Sequence, residues 1–434
     1  MNRRTFKLTL SRAAIITSAI LISACSSLGQ RPLMTLHRFQ AGDDGGNPAA
    51  PLIQDKAGNF YGTTEYYGAG CCYGTVFELS PPANSGGGWT ETVLYAFLND
   101  GDGARPTAGV IIDNAGNLYG TASGSNSGEY GTVFELTPPS TSGGSWTETV
   151  LYAFQGNSDG AYPYGGLVSD PQGNLYGTTE TSVFELRPPA AKGDAWTFTL
   201  LHDFVCCTSD GWSSVAGLVR DSQGNLYGTT EWGGSYSGEY CAYLGCGTAF
   251  EVSPPAVQGG AWSETILHRF GGDPDGVNPV NALALDARGN LYGSTFSGGA
   301  LGGGTAFELS PPAQKGGAWT KTVIHNFTYG NKDDGAVPVG TFIFDKAGNL
   351  YGATELGGNA CDYGYGCGTV FELTPPGANG SAWTETLLHR FSSAGPWPRQ
   401  PGGGLIFDNR GILLGTTLYG GNLRCSCGTI FEIQ

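Results

Sequence analysis

Histidine, the carboxylates and cysteine are the residues here whose types and spacing could do chemistry. All five histidines, His37, His202, His268, His325 and His389, stand two positions before a phenylalanine, and Tyr95 and Tyr152 hold the same place elsewhere. Imidazoles gathered at one point would make a metal site or the base of a triad. Copies spread over a repeat stay apart, and a place open to both His and Tyr reads as a packing or hydrogen-bonding place.

Seven aspartates, Asp55, Asp113, Asp170, Asp221, Asp286, Asp345 and Asp408, each precede a glycine by three positions. That is hairpin chemistry: a carboxylate accepting turn N–H groups and a glycine at positive φ. A glutamate also recurs in every copy, at Glu78, Glu135, Glu185, Glu251, Glu308, Glu372 and Glu432. An acid–base pair needs two carboxylates in unlike environments. Seven identical copies read instead as a hydrogen bond between repeats, to the threonines of G-T-T, and no catalytic residue is assigned. Asp100-Gly101-Asp102-Gly103 and Asp273-Pro274-Asp275-Gly276 have the look of calcium loops but lack the downstream bidentate Glu. Plain turns are the reading, so no metal or cofactor is expected, with calcium as the alternative.

Of eleven cysteines, Cys25 belongs to the leader and ten remain. An even number in an exported chain reads as disulfides. Cys241–Cys246 and Cys361–Cys367 are the plainest pairs; Cys71, Cys72, Cys206, Cys207, Cys425 and Cys427 leave the connectivity open, with a metal cluster as runner-up. Closing such short loops contributes about 2 kcal/mol at most, so rigidity is their rationale.

These residues are positioned by a repeat of four strand-like segments. They read G-L-V-x-D (a), N-L-Y-G-T-T (b), G-T-V-F-E-L (c) and W-T-E-T-V-L-Y-x-F (d), with turn glycines at Gly58, Gly116, Gly173, Gly224, Gly289, Gly348 and Gly411. Four short strands, seven copies and no helical period predict an all-β, seven-bladed β-propeller. The chain opens on a lone d segment, Thr35–Phe39, and closes on a lone c segment, Thr429–Ile433. Pairing the two completes the seventh blade and leaves no raw sheet edge.

The first 25 residues read as a signal peptide. Arg3, Arg4, Lys7 and Arg12 precede an apolar run, and Ile22-Ser23-Ala24-Cys25 is similar to a lipobox, with Cys25 the lipidated residue. Arg3-Arg4-Thr5-Phe6-Lys7 also resembles a twin-arginine motif, and the export route stays open. Residues 26–34 read as a tether and 35–434 as the propeller. The net charge of −16 falls to −20 without the leader's four basic residues, which argues against nucleic acid and anionic lipid as partners.

The a–b and c–d spacings are constant; the b–c loop varies most, from about two residues to the 16 of Glu231–Cys246. Antiparallel strands put b–c and d–a connections on one face, which becomes the candidate binding surface. It carries the aromatics Tyr66, Tyr67, Trp232, Tyr236, Tyr240, Tyr243, Tyr363, Tyr365 and Tyr419. Such rings suit sugars, flat ligands or protein hot spots; packing among the loops is the other reading.

The three motifs in order resemble the GloVer tandem-repeat family of bacterial surface proteins, over roughly Thr35 to Gln434. Strands a and b are also similar to NHL propellers. The GloVer resemblance implies export and surface anchoring and brings no catalytic residues. The expected function is a monomeric, lipid-anchored propeller at the cell envelope that binds a glycan, peptide or partner protein. An extracytoplasmic lyase or glycosidase and a purely structural envelope protein are the alternatives.

Overall fold

The computed structural model describes residues 31–434 apart from short segments at 69–71, 85–86, 125–128, 142, 157, 192, 207, 235–240, 258, 315, 332, 360, 362–364, 378–379, 381, 393–396 and 422–423. Cys25, Cys71, Cys207, Tyr236, Tyr240 and Tyr363 lie outside the described residues.

Each copy of the repeat folds as a four-stranded antiparallel sheet in the order a-b-c-d. In the first blade these are Ile53–Gln54, Phe60–Thr64, Thr75–Ser80 and Thr90–Ala96. Strands b and c are buried on both faces, which is why they read as unbroken runs; strand d alternates because only one face is covered. The seventh blade joins Ile406–Phe407, Leu413–Tyr419 and Thr429–Ile433 to the N-terminal strand Leu33–Arg38. Leu33 opposes Ile433 and Arg38 opposes Thr429, so the ring closes as expected. That strand starts two residues before Thr35, because Leu33 and Met34 also pair.

Phenylalanine joins the blades. The last Phe of each d strand meets the c-strand Phe of the next blade at 5.1–5.3 Å, from Phe39–Phe77 round to Phe391–Phe431. Five Trp–Tyr contacts add to this, such as Tyr61–Trp146 at 6.5 Å. The seam between blades seven and one has Leu414 in place of the tyrosine. A cavity of about 850 Å³ lies there, between Trp89 and Arg410, beside the a–b turns and away from the variable loops.

The repeated aspartate makes the hairpin. Asp55 Oδ1 accepts the N–H groups of Ala57 and Asn59, and Gly58 has φ 95°. The repeated glutamate differs from expectation. It bonds within its own blade, as Glu78 to the Ser80 hydroxyl and Glu185 to the Tyr176 hydroxyl. The cause is register: strand-c Glu stands opposite strand-b Tyr, not opposite a threonine. The bond between blades comes from the first threonine of G-T-T, as Thr63 Oγ1 donates to the Ala108 carbonyl at 2.9 Å.

Candidate functional site

The ring axis is lined mostly by small residues and backbone. A cavity of about 320 Å³ runs there, walled mainly by glycine, alanine and aliphatic residues of the inner segments, with Tyr164 and Asn281 as its larger polar side chains. A Cβ on Gly109 would sit 2.7 Å from the Pro51 carbonyl oxygen, and one on Gly165 2.5 Å from that of Ala216. Most non-repeating side chains stand instead at the mouth of the ring, where the d–a and b–c loops pair. Gly211–Trp212 bridges Trp232–Gly233, and Arg399–Pro401 bridges the end of Leu413–Tyr419.

Two concentric sets of side chains ring this mouth, and sequence reasoning missed both. The first is Asn47, Arg105, Tyr162, Ser213, Asn278, Val337 and Gln400, one per d–a loop, all at φ 53–61°. Left-handed backbone at seven non-glycine residues is strain that surrounding structure must enforce. It is enforced by hydrogen bonding: Asn47, Asn278 and Gln400 donate their N–H groups to the carbonyls of Cys427, Cys246 and Cys367. The available signal was a proline that follows the varying residue in six of the seven copies, as in Asn47-Pro48 and Arg105-Pro106, with Ser214 in the seventh.

The second set follows strand b: Glu65, Ser123, Glu180, Glu231, Phe296, Glu355 and Leu418. The left-handed residue reaches back to this place on the preceding blade. Arg105 bonds Glu65 at 2.6 Å, Asn278 the Glu231 carbonyl at 3.0 Å, and Gln400 the Glu355 carboxylate at 3.4 Å. Arg105 also bonds the Tyr66 hydroxyl at 2.6 Å and lies 5.0 Å from its ring centre. Burial and the Glu65 carboxylate push the Tyr66 hydroxyl up. Burial pushes the carboxyls of Glu231 and Glu355 above the ordinary range.

The expected aromatics divide. Tyr66 is taken by Arg105, Tyr67 packs against the core at the ring seam, and Trp232 is half-buried opposite Trp212. Tyr243 is 90% exposed on the blade-four loop. Tyr365, 59% exposed, and Tyr419, 40% exposed, flank a cleft of about 430 Å³ between blades six and seven. Glu355, Arg399 and Gln400 complete its polar wall.

Disulfides hold these loops. Cys241 bonds Cys246, Cys361 bonds Cys367 and Cys425 bonds Cys427, at Cα separations of 4.9, 5.4 and 5.2 Å. Cys206 is also disulfide-bonded. Cys72 is a free, exposed thiol, so the expectation that every cysteine pairs does not hold there. A bond to its sequence neighbour would need the strained geometry of adjacent cysteines. The two calcium-like loops spend their central carboxylates internally, Asp102 on Tyr95 and Asp275 on His268 and Lys321.

Fold and site define a seven-bladed β-propeller closed by its N-terminal strand, with irregular, disulfide-held loops on one face. The chain belongs to the Gloeobacter/Verrucomicrobia repeat family, which it matches over residues 26–185 and 180–431. No curated protein matches it. Among solved structures it is similar to the extracellular domain of a hybrid two-component system from B. thetaiotaomicron, with TM-score 0.48 and 11% identity over 93% of this chain and 41% of that one. PorZ, a surface component of the type-IX secretion system of Porphyromonas gingivalis, aligns at TM-score 0.40 and 14% identity, over 84% of this chain and 48% of its own. A family AA12 carbohydrate-active enzyme from Trichoderma reesei aligns at TM-score 0.44 and 12% identity, over 92% and 100%. This chain thus spans less than half the length of the first two.

Proposed function

We propose that this is an exported, lipid-anchored binding propeller that holds a glycan in the cleft between blades six and seven. One observation carries the reading: two exposed tyrosines, Tyr365 and Tyr419, face a carboxylate, an amide and a guanidinium in one cleft. Aromatic faces cover the apolar faces of sugar rings, and planar polar groups bond their hydroxyls. The volume falls within the range of ~300–1,000 Å³ usual for small-ligand sites. Glycoside hydrolysis needs two carboxylates across the scissile bond. Glu355 is the one carboxylate among the described residues lining the cleft, so binding without turnover is the better reading.

Disulfides and the lipobox-like leader support export, and Cys25 is the residue that would carry the lipid. The test is a glycan array on the exported chain with Cys25→Ser, followed by calorimetry with the best ligand. Tyr365→Ala and Tyr419→Ala should each weaken binding by about tenfold, the loss of one aromatic anchor, and Tyr243→Ala should not. Absence of any glycan signal, or equal affinity in all three variants, overturns the reading. In cells, Cys25→Ser should move the protein from the membrane to the soluble fraction; unchanged membrane association would remove the lipid anchor.

A further inference from the structure

The outer edge of each blade junction has a second composite place, built from three segments that are far apart in sequence. Strand d of one blade offers its His or Tyr. The following d–a loop offers the residue three positions before the left-handed one, an Asp in six junctions and Trp397 in the last. Strand d of the next blade offers the third residue of W-T-E-T.

Three junctions bring together His, Asp and Glu: His37 with Asp44 and Glu91, His202 with Asp210 and Glu264, and His325 with Asp334 and Glu385. In each, one ligand atom per residue lies within 4.8 Å of the others. His and Asp touch at 3.2, 3.3 and 3.3 Å. The glutamate Oε1 of all three groups is buried and has no hydrogen-bond partner.

A fourth junction shows what such a place takes. There His268 and Asp275 meet at 2.9 Å, and Lys321 stands where the others have Glu. The Lys321 side chain is 4% exposed, and its Nζ bonds Asp275 Oδ1 at 2.6 Å as well as the Asp275 carbonyl. At this junction the chain supplies its own buried cation. At the three His–Asp–Glu junctions it supplies a further carboxyl group instead, with an oxygen turned away from water and without a hydrogen bond. The remaining junctions break the pattern differently: Tyr95 replaces His beside Asp102, where Glu148 Oε1 is likewise buried and unpartnered, Tyr152 stacks on Phe198 at 4.6 Å, and His389 lies against the Arg31 carbonyl with Trp397 at the aspartate's place.

We infer that each of the three His–Asp–Glu groups binds one divalent cation of the zinc class. One imidazole nitrogen and two carboxylate oxygens suit zinc, whereas calcium takes six to eight oxygens. Ligands sharing a zinc at ~2 Å stand roughly 3.3 Å apart, a separation His and Asp already have, so it is the Glu side chain that swings inward on binding. The ion joins strand d of one blade, the crossing loop and strand d of the next. At the first group it also clamps the N-terminal strand that closes the ring. This does not depend on the glycan reading.

The test uses the exported chain with Cys25→Ser and Cys72→Ser, which removes the lipid and the free thiol, dialysed against chelator and titrated with zinc chloride. About three equivalents should bind and raise the melting temperature. Lys321→Glu should raise the count to four, and Lys321→Gln should leave it at three. Glu91→Gln, Glu264→Gln and Glu385→Gln together should abolish binding. No zinc bound by the parent chain, or a count that Lys321→Glu leaves unchanged, overturns the inference. The Lys321 variants decide the matter even where the triple variant does not fold.

Discussion

At the scale of single residues, the seven left-handed positions are the informative ones. An L-residue there costs ~1–2 kcal/mol, and a β-branched one is the worst placed of all. Val337, at φ 57° and 1% exposed, is that case. At the equivalent place Asn47 and Asn278 donate from their side chains to carbonyls of the preceding blade, at 2.9 and 3.0 Å. Val337→Asn would relieve backbone strain and gain a bond of this kind to the Phe296 region. It is expected to stabilise the fold by about 1 kcal/mol, read as a higher denaturation midpoint. An unchanged or lower midpoint would mean that the lost apolar packing outweighs both gains.

At the scale of elements, loops and strands answer to different forces. The Cys361–Cys367 loop walls the cleft proposed to hold a glycan and presents Tyr365. Replacing both cysteines by serine should cost about 2 kcal/mol of stability at most yet weaken glycan binding several-fold, because the loop then loses its preorganisation. Equal affinity in the double variant would show that the loop is held by its backbone pairing alone. Strand d carries a pH effect. Burial, then Asp102 and Asp100, push the Glu148 carboxyl up to about 7. A carboxyl raised in the folded state stabilises fully below its ordinary range, and that contribution is lost as pH rises through the folded value. Melting temperature in chelator should therefore fall between about pH 4.5 and 7, and Glu148→Gln should flatten part of that fall. Parallel pH profiles for parent and variant would remove Glu148 as a source.

The strands themselves were legible because each motif is copied seven times at nearly constant spacing, and Asp-x-x-Gly has a local explanation that needs no partner. The site was legible only to the level of a face. Tyr365 and Tyr419 stood out as loop aromatics, but Glu355 and Gln400 meet across a blade junction, a contact that periodicity within a repeat does not encode. The histidines show the same limit. Their spacing rightly keeps them from one another, while His37, His202, His268 and His325 each meet a carboxylate from a loop and three of them another from the neighbouring strand. Trp397 at the aspartate's place is visible only by counting back from Gln400.

At the scale of the whole molecule, closure makes a quantitative demand. Phe39, from the N-terminal strand, contacts Phe77 at 5.3 Å, and Phe97, inside the chain, contacts Phe134 at 5.2 Å. Both phenylalanines are fully buried. In an open array the terminal pair would secure only a fraying end, and Phe39→Ala would cost little beyond local opening. In a closed ring every junction is an interior one, because losing it leaves a strand edge and two unpacked faces. Phe39→Ala and Phe97→Ala are thus expected to destabilise alike, each by about 3–5 kcal/mol, in a single transition under denaturant. A near-neutral Phe39→Ala, or a separate early transition in that variant alone, would show that the N-terminal strand rests on blade seven without holding the ring. Equal costs would mean that a strand contributed from the opposite end of the chain is as much part of the cooperative unit as any strand built in sequence order.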